Sequence, residues 1–363
     1  MNVTVLGAGN SGLAMAAHLS KEGNNVILWN RSRSTIDKLM ETHVIHCEGV
    51  ISGGIKVRMI TDDIKEALKN PDIVLITTPA NSHRELAELV AEHIKKETLL
   101  VLNPGRTFGA LEFQEVYKKR NKKFNQTIAE TQTIIYTCRK TSEDTVNIIS
   151  IKRDVLISTI NANVKENEEI ITKLPQCIQK YFAPAKAMIE TSIGNVGMIL
   201  HCAPLLLNTG WTESKNSSYK YYYDGITPSI GRLLEKIDQE RVLVSKKLGL
   251  EVETTQEWLK RTYLVNGNSL YECIQNNEAY KTIDAPSSLN HRYIFEDIPY
   301  GLVPLEVVGK KLGLEMKTTG LIIDLASSLL DIDFRKTGRN LDFTSSKRQF
   351  NKFKSEIRGN WND

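Results

Sequence analysis

The sequence predicts two domains of different class: an α/β domain on an open, mainly parallel sheet, followed by an all-α C-terminal domain. Three observations carry this expectation. Short apolar runs alternate with segments of helical period through the first half of the chain. From about residue 187 the strand signal fades and helical spacing takes over. The chain also opens on Val3-Thr4-Val5-Leu6-Gly7-Ala8-Gly9-Asn10-Ser11-Gly12, a β-branched run followed at once by three closely spaced glycines. A length of 363 residues is enough for a core in each domain. Ala183-Pro184-Ala185 breaks the pattern, and the boundary is expected there, dividing 1–184 from 185–363.

The opening stretch reads as a buried strand turning sharply into a helix that begins near Asn10. Gly7 allows the tight turn, Gly9 lets backbone approach a pyrophosphate, and Gly12 lets helix pack on strand. The helix N-terminus, with Asn10 and Ser11, presents N–H groups and a positive dipole end to phosphates. This is the Rossmann dinucleotide-binding pattern; its plain alternative is a structural βα turn. Asn25 to Trp29 gives the second strand of a right-handed βαβ unit. A carboxylate at the end of that strand would accept hydrogen bonds from the ribose 2′-OH of NAD. The sequence has Asn30-Arg31-Ser32-Arg33 instead, two cations and two neutral groups that suit a 2′-phosphate. NADP(H) is therefore the expected cofactor, with NAD(H) second, unless Arg31 and Arg33 belong only to a solvated loop.

Further along, Thr61-Asp62-Asp63 caps a helix from Ile64 to Lys69, and Asp72 to Thr77 is a near-continuous apolar strand. Ser82 to Lys96 is helical, with Leu86, Leu89, Val90 and Ile94 on one face, and Leu99 to Leu102 is the next strand. The loops Thr77-Thr78-Pro79-Ala80 and Asn103-Pro104-Gly105-Arg106 leave strand carboxyl ends, so Thr78 and Pro79 are expected on the nicotinamide side. Strands follow at Ile128 to Thr133 and Ile134 to Arg139. Val146 to Ile151 and Val155 to Ile160 are expected as a hairpin across Lys152-Arg153-Asp154, completing the same sheet. A helix from Lys165 to Tyr181 closes the domain.

In the second half, Met188 to Leu207 reads as one long apolar helix interrupted by Gly194, Gly197 and Pro204. Gly194, Gly197 and His201 share a face, and Pro204 frees the carbonyl of Leu200 and bends the helix near His201. The bland reading is glycine-mediated packing around a core histidine. Thr227-Pro228 opens a helix through Leu248, and Tyr219 to Tyr223 reads as a packing segment. Leu289 to Pro304 gathers an arginine, two acids, aromatics and two prolines in a loop-like segment, which suggests a fixed polar site or a charged turn capped by Glu296 and Asp297. After a helix from Thr318 to Leu330, Phe350, Phe353 and Ile357 mark an amphipathic helix docked on the body.

Bulk properties narrow the partners. Charged residues make up 25%, hydrophobic residues 41%, and the formal charge of +4 is too small to point to nucleic acid or a membrane surface. Small molecules are the expected partners. Five cysteines without metal-ligand or C-x-x-C spacing suggest a reducing, cytoplasmic setting, and no histidine has a ligand spacing, so no metal is expected. The first strand begins too early to leave room for a secretory n-region, and no apolar run approaches the roughly 20 residues of a membrane span. An apolar helical domain is also a common place for a homodimer interface.

Taken together, the motifs resemble the opine dehydrogenases, the octopine and nopaline dehydrogenase-like family, and especially its bacterial N-carboxyethyl amino acid dehydrogenases. The resemblance rests on Gly7 to Gly12, Asn103-Pro104-Gly105-Arg106, Ala129-Glu130-Thr131, Asn195 with His201, Gly225-Ile226-Thr227-Pro228-Ser229, Arg292-Tyr293 with Glu296-Asp297-Ile298-Pro299, and Gly338-Arg339. It implies a Rossmann domain followed by a 6-phosphogluconate-dehydrogenase-like helical domain. The implied reaction condenses an amino acid's amino group with a 2-oxo acid such as pyruvate and reduces the imine with hydride. By likeness, His201 is the catalytic histidine, Asp297 its carboxylate partner, and Arg292 the binder of a substrate carboxylate. Asn195 would bond the nicotinamide amide or a substrate oxygen. The acidic strand ending typical of NAD-using relatives is absent, and the tail beyond Leu341 has no counterpart.

The residue types suit the chemistry on their own. Imine formation moves protons on and off a carbinolamine, which an imidazole can do near neutral pH. An arginine grips a carboxylate with two parallel hydrogen bonds, which lysine cannot match. Two rivals stand beside this reading. One is a direct 2-oxo acid or keto-phosphate reductase of the same plan, which would rely on a lysine where His201 stands. The other is a non-catalytic NADP(H)-binding sensor.

Overall fold

The computed structural model describes residues 1–359. The chain divides into two compact units, one formed by Met1–Ser192 with the segment from Ser346 onward, the other by Ile193–Ser345. The division thus falls at 192 rather than 184, because Thr191 and Ser192 are tied to the first unit by hydrogen bonds to the buried Glu130 carboxylate. The C-terminal helix Lys347–Arg358, expected with the helical domain, also belongs to the first unit. Its apolar face explains this: Phe353 and Ile357 are buried, and Phe353 meets Phe108 edge-on at 5.1 Å.

Among the described residues the first unit holds twelve strands. They are β1 (Asn2–Leu6), β2 (Asn25–Trp29), β3 (Val44–Gly49), β4 (Gly53–Lys56), β5 (Met59–Thr61), β6 (Ile73–Ile76), β7 (Leu99–Leu102), β8 (Thr127–Thr131), β9 (Tyr136–Lys140), β10 (Thr145–Ile151), β11 (Val155–Thr159) and β12 (Phe182–Pro184). Eight form one sheet in the order β12-β11-β8-β7-β6-β1-β2-β5. From β5 to β8 every pairing is parallel, and β11 joins β8 antiparallel. The chain goes outward from β1 to β2 and β5, then returns to β6 on the other side of β1, so the topological switch lies between β1 and β6. β6 and β7 are buried throughout, as their unbroken Ile, Val and Leu runs require of a sheet covered on both faces.

The expected hairpin of β10 and β11 does not form. β10 lies in a separate four-stranded sheet, β4-β3-β10-β9, while β11 enters the large sheet. The burial patterns give the reason. β11 is buried on nearly every residue, as a strand within the large sheet must be, whereas β10 has an outward face. The small sheet includes β3 and β4, which the sequence reading did not anticipate, and it packs on the helix Asn10–Lys21. There His18 Nδ1 lies 2.9 Å from the Tyr136 hydroxyl.

The second unit is built around the helix Pro228–Leu248. Thr227 caps it by accepting from the Ile230 N–H, Pro228 fills the first turn, and Gly249, at φ 108°, ends it. Arg241 on this helix is fully buried. It bonds Asp238 at 2.8 Å and the carbonyls of Ile193 and Glu253 at 2.9 and 2.7 Å, so the cation is matched at three points.

Candidate functional site

The glycine turn of the first unit has the geometry its residues predict. Gly7 has a φ of +109°, and its N–H donates to the Trp29 carbonyl at 2.8 Å, tying the turn to the end of β2. A Cβ on Gly12 would stand 1.7 Å from the Gly7 carbonyl oxygen, so helix and strand approach as only glycine permits. A Cβ on Gly9 would meet nothing within 4 Å. The helix Asn10–Lys21 begins with Gly9 as its cap, no side chain over its first N–H groups and no acid in its first turn. An open space over unobstructed helical N–H groups suits a pyrophosphate, so the turn fits the cofactor.

Neighbouring side chains brace this turn. The Asn30 carbonyl oxygen accepts from the Ala8 N–H at 3.1 Å and its amide donates to the Ser32 carbonyl at 3.0 Å. Thr77 donates to the carbonyl of Leu6 at 3.0 Å, and a Cβ on Gly7 would stand 2.7 Å from the Thr78 methyl. Ser82 donates to Thr78 Oγ1 and to the Pro79 carbonyl at 2.7 and 2.8 Å, which fixes the loop beyond β6. Asn10 accepts from the Lys140 N–H at 3.0 Å, so its side chain holds β9 on the helix. Arg31 is paired with Glu85, and Arg33 lies 3.3 Å from Asp37 and 4.0 Å from Asp62. Both guanidinium side chains remain about two-thirds exposed, at 67% and 66%.

The second unit brings together the distant residues that spacing could not join. His201 Nδ1 lies 2.8 Å from Asp297 Oδ2, across 96 positions of sequence. Asp297 is 1% exposed, while the His201 side chain keeps 22%. Breaks in the backbone make the meeting possible. The expected long helix is in fact three short ones, Met188–Ile193, Gly197–Leu200 and Cys202–Leu207, and His201 sits in the break between the last two. Gly194 and Gly197 therefore do not share one continuous helical face with His201, because Gly194 and Asn195 lie in the first break. Pro204 has its expected effect: the Tyr221 hydroxyl donates to the His201 carbonyl and lies 3.5 Å from that of Leu200.

The segment expected to be loop-like is helical. Arg292–Phe295 forms one helical turn, Ile298–Leu302 a π-helical stretch, and Val303–Lys311 an α-helix. Asp297 stands immediately before the π-helical stretch and does not cap it with its side chain; its carboxylate meets His201. Arg339, fully buried, donates its N–H to the Pro299 carbonyl at 2.8 Å and lays its guanidinium over Tyr300 at 5.2 Å, supporting this stretch from beneath. Arg292 pairs with Glu296 at 2.7 Å and is 60% exposed. Asn195 accepts from the Gly197 N–H at 3.2 Å.

Sequence reasoning missed one member of this centre. Tyr293 stacks on the His201 ring, with centroids 4.1 Å apart and planes 12° from parallel. Its adjacency to Arg292 was the available signal. His201 thus has one face covered, Nδ1 fixed by a carboxylate and Nε2 without a hydrogen bond among the described residues. A histidine held in this way can pass a proton through Nε2.

A dinucleotide turn in one unit and a carboxylate-held histidine in the other define the class, an NAD(P)-dependent oxidoreductase. Comparison with known proteins identifies which. The profile described as "NAD/NADP octopine/nopaline dehydrogenase, alpha-helical domain" matches residues 184–330, and that of the "NAD-dependent glycerol-3-phosphate dehydrogenase N-terminus" matches residues 2–133. The chain is 37% identical over 342 residues to an opine dehydrogenase of Arthrobacter sp. (strain 1C), covering 93% of each protein. It is 25% identical to the protein ocs of Agrobacterium tumefaciens (strain Ach5), over 93% of this chain and 94% of that one. Among solved structures, octopine dehydrogenase with NADH and L-arginine superposes with a TM-score of 0.78 at 19% identity, covering 100% of this chain and 99% of the other. Yersinopine dehydrogenase with NADP+ bound gives 0.77 at 12% identity, covering 99% and 98%. The chain belongs to the opine dehydrogenase family, NAD(P)-dependent oxidoreductases that act on the CH–NH group of donors. Among the described residues no helix is long and apolar enough to cross a membrane.

Proposed function

We propose that this protein catalyses the NADPH-dependent reductive condensation of a 2-oxo acid, pyruvate or a close analogue, with the amino group of an amino acid. The observation that carries the reading is the His201–Asp297 pair. The amino nitrogen attacks the keto carbon, forming a C–N bond while the carbonyl π electrons move to oxygen, which takes a proton from His201 Nε2. His201 then recovers a proton from nitrogen and returns one to the departing hydroxyl, so that water leaves and a protonated imine forms. Bound nicotinamide supplies the hydride that reduces the imine carbon. Asp297 holds Nδ1–H, fixes the tautomer and offsets the positive charge that His201 carries between transfers. Tyr293 keeps the ring in plane, Arg292 receives a substrate carboxylate in exchange for Glu296, and Asn195 bonds the nicotinamide amide or a substrate oxygen.

Gly7, Gly9 and Gly12, with the backbone of Asn10 and Ser11, hold the pyrophosphate. Asn30, Thr78 and Pro79 shape the turn around it. The preference for NADP(H) is carried by Arg31 and Arg33, whose present partners are exposed carboxylates. Exposed ion pairs are worth about 0–1 kcal/mol, so both guanidiniums can be given up to a 2′-phosphate at little cost. Replacing Arg31 and Arg33 together by alanine should lower kcat/KM for NADPH about 10- to 100-fold, the loss of one or two charge-assisted bonds, and leave that for NADH nearly unchanged.

The test is NADPH oxidation with pyruvate and other 2-oxo acids, each with and without a panel of amino acids. Turnover that needs both partners supports the reading. Turnover with the oxo acid alone assigns a direct reductase instead, and none with any pair refutes catalysis of this kind.

A further inference from the structure

Four tyrosines stand in the five residues Tyr219 to Tyr223, and the condensation uses none of them directly. One of them, Tyr221, touches the histidine centre twice. Its ring is wholly buried and lies 5.1 Å from the ring of Tyr293, tilted by 51°, and Tyr293 is itself stacked on His201. Its hydroxyl donates to the His201 carbonyl and lies 3.5 Å from the carbonyl of Leu200. A donor is needed at that place. In an unbroken helix residue 204 would offer its N–H to the Leu200 carbonyl, and Pro204 has none.

The segment carrying Tyr221 is anchored independently of His201. The Tyr221 N–H donates to the Ile283 carbonyl at 2.8 Å, the Ala285 N–H donates to the Tyr219 carbonyl at 2.9 Å, and Lys220 forms an antiparallel bridge with Asp284. Tyr221 also meets Tyr222 edge-on at 5.0 Å, and Tyr222 stacks on Tyr280 at 4.1 Å. Asn208, just past the helix Cys202–Leu207, donates its amide to the carbonyls of Pro204 and Gly225, both at 2.8 Å. The short helix that follows His201 is thus held at one end by Tyr221 and at the other by Gly225. Burial holds the Tyr221 phenol well above its ordinary range, so at neutral pH it is a hydrogen-bond donor and not a proton carrier.

His201 needs this support because it stands in a break between helices. Its φ and ψ are −103° and −56°, its N–H donates to the Gly197 carbonyl at 3.0 Å, and no side chain caps the helix that follows. A break interrupts the ladder that fixes a helical residue, so the direction of the imidazole depends on bonds made to it from other segments. We infer that Tyr221 is a positioning residue for the reaction: its hydroxyl fixes the His201 backbone and its ring backs Tyr293, so that Nδ1 stays on Asp297 and Nε2 is held for proton transfer. The inference deepens the proposed function and rests on the role given there to His201.

The experiment compares the full-length protein with Tyr221→Phe, which removes only the hydroxyl, and with Thr212→Val. Thr212 is buried and bonded to the Tyr219 hydroxyl at 2.8 Å, a bond of the same kind in the same segment that involves no atom of His201. Tyr221→Phe should lower kcat about tenfold at saturating substrates, with both KM values and Kd for NADPH changed less than about threefold, because a displacement under about 1 Å at the reacting centre suffices. Thr212→Val should lower Tm about as much as Tyr221→Phe does and leave kcat within about twofold of wild type. The second readout needs no turnover: the downfield proton resonance of His201 Nδ1–H against the Asp297 carboxylate, identified by its absence from His201→Ala. It should shift or broaden in Tyr221→Phe and stay in place in Thr212→Val. Placing para-aminophenylalanine at position 221 restores a donor on the same ring and should return the resonance and kcat to near their wild-type values; it also carries the test if Tyr221→Phe fails to fold. If no oxo acid and amino acid are joined, yet the resonance moves in Tyr221→Phe and not in Thr212→Val, the positioning role stands while the condensation reading fails. A kcat and resonance unchanged in Tyr221→Phe, equal changes in Thr212→Val, or a folded para-aminophenylalanine protein lacking the wild-type resonance overturn the inference.

Discussion

Replacing Asp297 by asparagine keeps the shape of the histidine centre and removes only its charge. The wild-type bond joins His201 Nδ1 to a carboxylate that is 1% exposed, at 2.8 Å. An imidazolium and a carboxylate about 4 Å apart between charge centres attract by about 4 kcal/mol at an effective dielectric near 20. A neutral amide oxygen retains a hydrogen bond worth about 1 kcal/mol. The remaining difference, about 3 kcal/mol, falls on every step in which His201 carries an extra proton and corresponds to about a hundredfold in kcat. An amide that turns its N–H₂ toward Nδ1 would select the wrong tautomer and deepen the loss. The assay is steady-state turnover with saturating pyruvate, amino acid and NADPH, beside NADPH binding by fluorescence and a thermal melt. A folded variant with intact NADPH binding and a kcat within about threefold of wild type would refute the charge-offset argument.

Other substitutions probe the remaining parts. Arg292→Lys should raise KM for one substrate about tenfold with kcat nearly preserved, because lysine cannot reproduce the two-pronged grip; loss of NADPH binding instead would misplace the residue. Gly12→Ala places a methyl 1.7 Å from the Gly7 carbonyl oxygen, so NADPH binding should vanish or the first unit fail to fold, as fluorescence titration and circular dichroism would show. An unchanged Kd would mean that the turn is not the cofactor's cradle. Arg241→Met leaves Asp238 buried without its cation and should destabilise the protein by about 3–5 kcal/mol, about 10 °C in Tm for a unit of this size, measured calorimetrically.

Much of this was legible in the chain. The glycine turn, the fully apolar β6 and β7 and the cap at Thr227-Pro228 are local signals, set by backbone sterics and burial within a few residues. The small sheet was not legible, since β3 and β4 carry little continuous hydrophobicity and β3 pairs with β10 from a distant part of the sequence. The misplaced hairpin has the same origin: β10 and β11 are adjacent in sequence, yet the number of buried faces sorts them into different sheets. In the second unit the family resemblance named His201, Asp297 and Arg292, while the chain's local pattern predicted a continuous helix and a loop. The glycines and Pro204 disrupted the first more than expected, and the prolines of the second started helical turns. Tyr293 was missed because an aromatic ring over a histidine exists only in three dimensions.

The central claim is that the chain joins two substrates through nitrogen and reduces the product. The most direct measurement is mass spectrometry of the product formed from pyruvate, an amino acid and NADPH carrying deuterium on the transferred position. The account predicts a secondary amine with the mass of both substrates less water plus one deuterium and one hydrogen, the deuterium bound to the former keto carbon, and none of it from His201→Ala. Deuterated lactate, formed equally well without the amino acid, would contradict it.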